Sequence, residues 1–284
     1  MTEPVSQPSP PAAPPTAPPD AILLAAGKGT RMGGDLAKVL HRVADRPMLH
    51  WVVDACAAAG CEQIVIVVGY QADDVRASFN DYAPLLGQPD IAFVDQPQQL
   101  GTGHAVMMAE PVMQDRRDRD VFVLAGDGPL IQPETLAQLF NTHREEPTAA
   151  ATLATATLTD PTGYGRVLSD PTTGSFDRIV EQKDATPDQL AVREVNPSYY
   201  CFQAAALFDA LPRLSDQNAQ GEYYLTDVPA LLKADGQPVR VVDAVPPQDI
   251  LSINTPDQLA EVDRIMRDRL GSSPSPVVDA GAPA

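Results

Sequence analysis

The chain is short of several things, and each shortage removes a class of function. It carries 20 basic residues against 38 acidic ones, a net charge of -18, so a nucleic acid or an anionic membrane would be repelled at long range. Neither is expected as a partner. No run is long and apolar enough to span a bilayer. Cysteine is scarce: Cys56, Cys61 and Cys201 are odd in number, lack metal-ligand spacing and sit in apolar surroundings, which predicts buried reduced thiols. His41, His50, His104 and His143 show no ligand spacing, and no Ser/His/Asp arrangement is legible. The chemistry is therefore expected to be electrostatic and positional. Residues 1–19 have neither the basic start nor the apolar run of a secretory signal, so a cytoplasmic protein is expected. There is no internal repeat and no hexapeptide array of the left-handed β-helix kind.

What is abundant is proline at the two ends. Residues 1–19 predict a disordered or polyproline arm and residues 271–284 a disordered tail, flanking one domain over 20–270. That domain begins with its most informative stretch, Ala21-Ile-Leu-Leu-Ala-Ala-Gly-Lys-Gly-Thr-Arg-Met32. Six apolar residues suit a buried parallel strand, and Gly27 and Gly29 allow a tight bend that offers backbone N–H groups to an anion. The spacing is neither G-x-x-x-x-G-K-[ST] nor the three-glycine dinucleotide fingerprint, so a different phosphate-handling fold is required.

Further along, residues 64–68, 91–94 and 121–125 read as buried strands, and 47–60, 73–79, 105–110 and 133–143 as helices, with Pro47 in a first helical turn. Repeated strand–helix units predict an α/β, doubly wound, mostly parallel sheet. Three loops should gather at one edge: 27–31, 96–102 and 126–129. The second half changes character. Strand-like pieces at 148–158, 163–167, 179–183 and 195–202 predict an α+β elaboration on the same sheet, followed by helices over 204–211, 227–234 and 256–270 with a strand at 239–244.

Lys28, Arg31 and Lys38 cluster around the glycine loop, where they would bind phosphate. Asp127, just past a buried strand, holds a position suited to a metal-binding carboxylate, although Asp-Gly-Pro is also ordinary turn chemistry. Glu181 and Asn196 are polar residues within strand-like segments, where substrate hydroxyls or internal hydrogen bonds would serve them equally.

Residues 24–32 resemble the signature loop of sugar-1-phosphate nucleotidyltransferases. Residues 99–105 (Gln-Leu-Gly-Thr-Gly-His-Ala), 160–166 (Asp-Pro-Thr-Gly-Tyr-Gly-Arg), 179–185 (Ile-Val-Glu-Gln-Lys-Asp-Ala) and 218–227 (Asn-Ala-Gln-Gly-Glu-Tyr-Tyr-Leu-Thr-Asp) extend the likeness. They are similar to the uridylyltransferase domain of bacterial bifunctional N-acetylglucosamine-1-phosphate uridylyltransferase/glucosamine-1-phosphate acetyltransferase. The resemblance implies a Rossmann-like, GT-A-like sheet and Mg²⁺-dependent formation of a UDP-sugar from UTP and a hexosamine 1-phosphate. It further implies that Leu24, Ala25, Ala26, Gly27, Gln96, Gly101 and Thr102 hold the nucleotide and that Arg31 and Lys38 neutralise its phosphates. Gly165, Glu181, Asn196, Tyr224 and Thr226 would line the sugar-phosphate pocket, and Asp127 and Asn254 would coordinate Mg²⁺. Asn254 enters by resemblance alone, since Ile-Asn-Thr-Pro also reads as a strand end and helix cap.

Four departures qualify this. Gly128 replaces the valine of Gly-Asp-Val-Pro, which should free the loop; Pro197-Ser198 replaces Thr-Gly after Asn196, which bears on the choice of sugar; and Ala37 replaces a proline. No hexapeptide domain is present in the sequence, so acetyl transfer is not expected of it and the oligomeric state stays open. The alternatives are another sugar 1-phosphate or base, or a catalytically weak nucleotide-sugar-binding regulator.

Overall fold

The computed structural model describes residues 17–85, 87–145 and 148–272. The expected arm lies almost wholly, and the tail mostly, outside these residues. Strand β1 (Asp20–Ala25) is followed by a hairpin of two short strands, β2 (Arg42–Val43) and β3 (Arg46–Pro47), and then by α1 (Met48–Ala58). Next come β4 (Gln63–Val68), α2 (Ala72–Ala77), β5 (Asp90–Asp95), α3 (Thr102–Met107), β6 (Asp120–Ala125) and α4 (Pro133–Arg144). The second half comprises β7 (Ala151–Thr157), β8 (Gly165–Ser169), β9 (Phe176–Val180), α5 (Pro187–Leu190), β10 (Glu194–Gln203), α6 (Ala204–Ala210), α7 (Val228–Ala234), β11 (Val239–Asp243) and α8 (Pro256–Ser272).

Seven strands run in the order β11-β7-β10-β6-β1-β4-β5, with β8 pairing β10 and β9 pairing β8. β6, β1, β4 and β5 are mutually parallel, and β11 is parallel to β7; β10 runs antiparallel to β6, β7 and β8. The mostly parallel α/β sheet is therefore as expected. A parallel strand covered on both faces needs a run of apolar residues, and β1 supplies it after Asp20: Ala21, Leu23 and Ala25 enter one core with residues of α1, α4 and α8, while Ile22 enters the other with α3, α6 and α7. Each fully buried Val, Leu or Ile contributes ~1.5–3 kcal/mol, so the β1–β4–β6 centre is the rigid platform on which the loops stand.

Local readings shift in a few places. Pro47 forms the edge pair with Arg42 and leaves Met48 to open α1, because its extended backbone (ψ 135°) is strand-like. α3 starts at Thr102, three residues before the expected point, since a hydrogen bond from the Gly103 N–H to the Tyr223 carbonyl anchors its first turn from outside the helix. β9 ends at Val180, so Glu181 is not in a strand; its carbonyl instead accepts from Asp184 N in a turn. All three cysteines are free and buried, and burial raises the Cys61 and Cys201 thiols well above their ordinary range.

Candidate active site

Because β6, β1, β4 and β5 are parallel, the loops after them emerge at one edge of the sheet. There they enclose a cavity of about 340 Å³. Its wall takes Leu24 from the end of β1 with Ala26 and Gly27 from the loop after it, and Gln96 and Gly101 from the segment between β5 and α3 with Thr102 from the start of α3. Lys38, Asp127, Glu181 and Thr226 complete the set of sequence-predicted residues that reach it.

The glycine loop is shaped around Lys38. Gly29 has φ 66°, and a Cβ there would lie 2.6 Å from Lys38 Cβ, so any side chain would displace the lysine stem. Gly27 carries no such strain and opens directly on the cavity. Lys28 stands apart, its ammonium 5.0 Å from the centre of the Tyr70 ring.

Lys38 Nζ donates to the Asp127 carboxylate and, at 2.7 Å, to Asn254 Oδ1. Arg31 donates to the same Asn254 oxygen at 2.9 Å. The Ile253 N–H donates to the Asp127 carbonyl at 3.0 Å, which ties the segment before α8 to the end of β6 and brings Asn254 alongside. Thr255 caps α8, its carbonyl accepting from Leu259 N and its Oγ1 from Gln258 N, so the helix leaves the Asn254 side chain for the site. Two cations and two oxygen ligands thus meet at one point, at the C-terminal end of β6.

The rest of the wall is neutral or acidic. Thr226 Oγ1 donates to Glu181 Oε1 at 3.1 Å. Burial raises the Glu181 carboxyl above its ordinary range; the Thr226 hydrogen bond opposes this, and Asp227, Asp184 and Glu222 add to it. Asn196 is brought close but not onto the surface of the cavity: it is 5% exposed, and its Nδ2 donates at 2.6 Å to the hydroxyl of Tyr200, which does line it. Gly165 pairs with Asn196 across the β8–β10 ladder. The Tyr224 hydroxyl donates to Asp184 Oδ2 at 3.2 Å and Ala25 is 1% exposed; neither lines the cavity.

One expectation about mobility changes. The Asp127-Gly128 loop gains no freedom from its glycine: a Cβ on Gly128 would sit 2.7 Å from the Tyr199 hydroxyl, so the small residue makes room for a large neighbour. The hydroxyl of Thr102 accepts from Leu225 N at 3.0 Å and so is already used to join α3 to the segment before α7. Ser198, singled out in the sequence as a departure, reaches the wall, while sequence reasoning missed Gln99, whose Nε2 donates to the Ala26 carbonyl at 2.7 Å, and Tyr200, Glu222 and Leu225. Gln99, Glu222 and Leu225 lie inside the quoted motifs, which was the available signal.

Residues 21–231 match the family described as MobA-like NTP transferase domain. The chain belongs to that family. This NTP transferase domain is 45% identical over 250 residues to the bifunctional protein GlmU of Geobacter metallireducens, covering 88% of the chain and 51% of the relative. It is 46% identical over 250 residues to the bifunctional protein GlmU of Pelotomaculum thermopropionicum, covering 88% and 52%. The chain spans about half the length of these curated relatives. A crystal structure of UDP-glucose pyrophosphorylase complexed with UDP-glucose shares the fold at TM-score 0.72 and 16% identity, covering 89% of this chain and all of that one. The resemblance drawn from the motifs to one domain of the bifunctional proteins is thereby borne out, and by its family the chain is an NTP transferase domain. Among the described residues no helix is long and apolar enough to cross a membrane.

Proposed function

We propose that the chain is a cytoplasmic uridylyltransferase that joins UTP and a hexosamine 1-phosphate, N-acetylglucosamine 1-phosphate first among them, into a UDP-sugar with release of pyrophosphate. The observation that carries this is the division of one cleft. Along the sheet edge, the loops after β5 and β1 form a neutral, partly backbone wall suited to a nucleoside; the end of β6 holds the cations suited to phosphates; and the β10 side is lined by hydroxyls and a carboxylate suited to a polyol.

In this reading the sugar-phosphate oxygen attacks the α-phosphorus of UTP in line, the bond to the β-phosphate breaks, and no covalent enzyme intermediate forms. Arg31 and Lys38 offset the charge that spreads over the phosphate oxygens. Mg²⁺ fits the residues present: Asp127 and Asn254 aim one oxygen each at a common point that a cation, the Lys38 ammonium, now fills. Such a pair of oxygens could serve as the protein's ligands to a hard cation. Bound there, Mg²⁺ would screen the phosphates of both substrates and favour the in-line geometry.

Incubating the protein with UTP, N-acetylglucosamine 1-phosphate and Mg²⁺ and following ³¹P resonances tests this. Paired diphosphate-ester signals and free pyrophosphate are expected. Persistence of the UTP signals with every sugar phosphate tried would refute it. A second acceptor is favoured by one observation, the Ser198 side chain on the wall of the cleft.

A further inference from the structure

Ser198 has φ 65°, the left-handed conformation that glycine adopts readily and serine does not. It sits where the β10–β7 register shifts between Val195 and Tyr199, so residues 196–198 bulge from the ladder. Tyr199 pairs with Leu124, which places the bulge beside the C-terminal end of β6, next to Asp127 and on the polyol side of the cleft. Backbone strain of this kind persists where the surrounding structure enforces it, and it concentrates at ligand sites.

The backbone at Ser198 is held in place. The Ser198 N–H donates to Asn196 Oδ1 at 3.1 Å, and the Asn196 Nδ2 donates to the Tyr200 hydroxyl at 2.6 Å. The Ser198 side chain shares a wall of the cleft with Tyr200, Glu181 and Thr226. What it presents to the cleft is the volume of a hydroxymethyl group on a Cβ. A glycine would follow the same backbone path without strain and leave that volume open.

We propose that Ser198 sets the size limit at the acceptor end of the cleft, favouring hexose 1-phosphates that bear a hydroxyl over those that bear the larger N-acyl group, relative to the same cleft with glycine. The proposal rests on the uridylyl-transfer reading. Excluding or admitting a group about the size of a methylene is worth ~10-fold or more in kcat/KM.

The test compares kcat/KM for glucose 1-phosphate with that for N-acetylglucosamine 1-phosphate, at saturating UTP and Mg²⁺, in wild type, Ser198→Gly and Ser198→Ala. Ser198→Gly should lower the glucose-to-acetylglucosamine ratio ~10-fold or more, raise Tm by removing the strained residue, and leave the KM for UTP within about twofold. Ser198→Ala keeps the Cβ and should hold the ratio within about threefold of wild type. An unchanged ratio in Ser198→Gly overturns the proposal, as does a shift in Ser198→Ala as large as in Ser198→Gly. Failure of wild type to use either sugar removes the uridylyl-transfer reading and this proposal with it, an outcome distinct from turnover of both sugars at an unchanged ratio.

Discussion

The Lys38 ammonium stands 2.7 Å from Asn254 Oδ1 while also bonding the Asp127 carboxylate. A lysine from the first loop therefore joins the end of β6 to the start of α8, in a chain whose net charge of -18 would otherwise oppose any anionic ligand. The same ammonium fills the point at which a divalent cation would meet those two oxygens. On the proposed reading lysine and metal would compete for it.

That competition is measurable without turnover. Lys38→Met should bind Mn²⁺, read by electron paramagnetic resonance in the absence of nucleotide, ~5-fold or more tightly than wild type, while kcat falls ~100-fold with the loss of a phosphate-facing charge. Equal Mn²⁺ affinity in the two proteins would show that the ammonium does not guard the site.

Gly128 and Tyr199 should behave as a coupled pair. Gly128→Val puts a Cβ 2.7 Å from the Tyr199 hydroxyl and should cost ~1–3 kcal/mol by overpacking. Tyr199→Phe removes the atom in conflict, so in the double variant most of the Gly128→Val cost should vanish. Additive losses in chemical denaturation would contradict the contact.

Glu181 gives a signature that separates binding from stability. Its carboxyl is raised by burial, so the folded state holds a proton more tightly than the unfolded chain, and stability falls as pH rises through the raised value. Glu181→Gln should lose that part of the slope and melt higher at pH 7 to 8, while the KM for the sugar phosphate rises ~10-fold and that for UTP changes little. A Tm that moves in parallel with wild type across pH would refute the assignment.

His50 controls the acid limb. Its ring packs 4.6 Å from Phe79 and 4.8 Å from Tyr82, and burial, with help from Arg46, lowers its pKa from 6.5 to about 4. The unfolded chain takes up the proton first, so stability is intact above 6.5 and is lost as pH falls towards 4. Allowing for partial solvent screening, ~2 kcal/mol should be lost over that window and largely retained in His50→Phe. Denaturation midpoints at stepped pH check this.

The parallel centre of the sheet was legible because continuous apolar runs such as Ile64-Val-Ile-Val-Val68 leave few other readings. Glu181 was misplaced because the pattern of Ile179-Val180 does not reveal where a strand meets a turn fixed by the Asp184 N–H. The β2–β3 hairpin was missed: two-residue strands carry no periodicity. At the site, Asp127 could be read from its place after a buried strand. Asn254 could not, because its position depends on the Ile253–Asp127 backbone bond between segments remote in sequence. Tyr199 shows the same limit: nothing local announces that it fills the space a side chain on Gly128 would need.

The most direct test of the account is pyrophosphate release by wild type and Asp127→Ala across a panel of nucleoside triphosphates and sugar 1-phosphates with Mg²⁺. Wild type should turn over UTP with N-acetylglucosamine 1-phosphate in preference to other triphosphates, and Asp127→Ala should fall by ~10²–10³-fold or more. Saturable UTP binding with no turnover on any sugar phosphate, or undiminished turnover in Asp127→Ala, would contradict it.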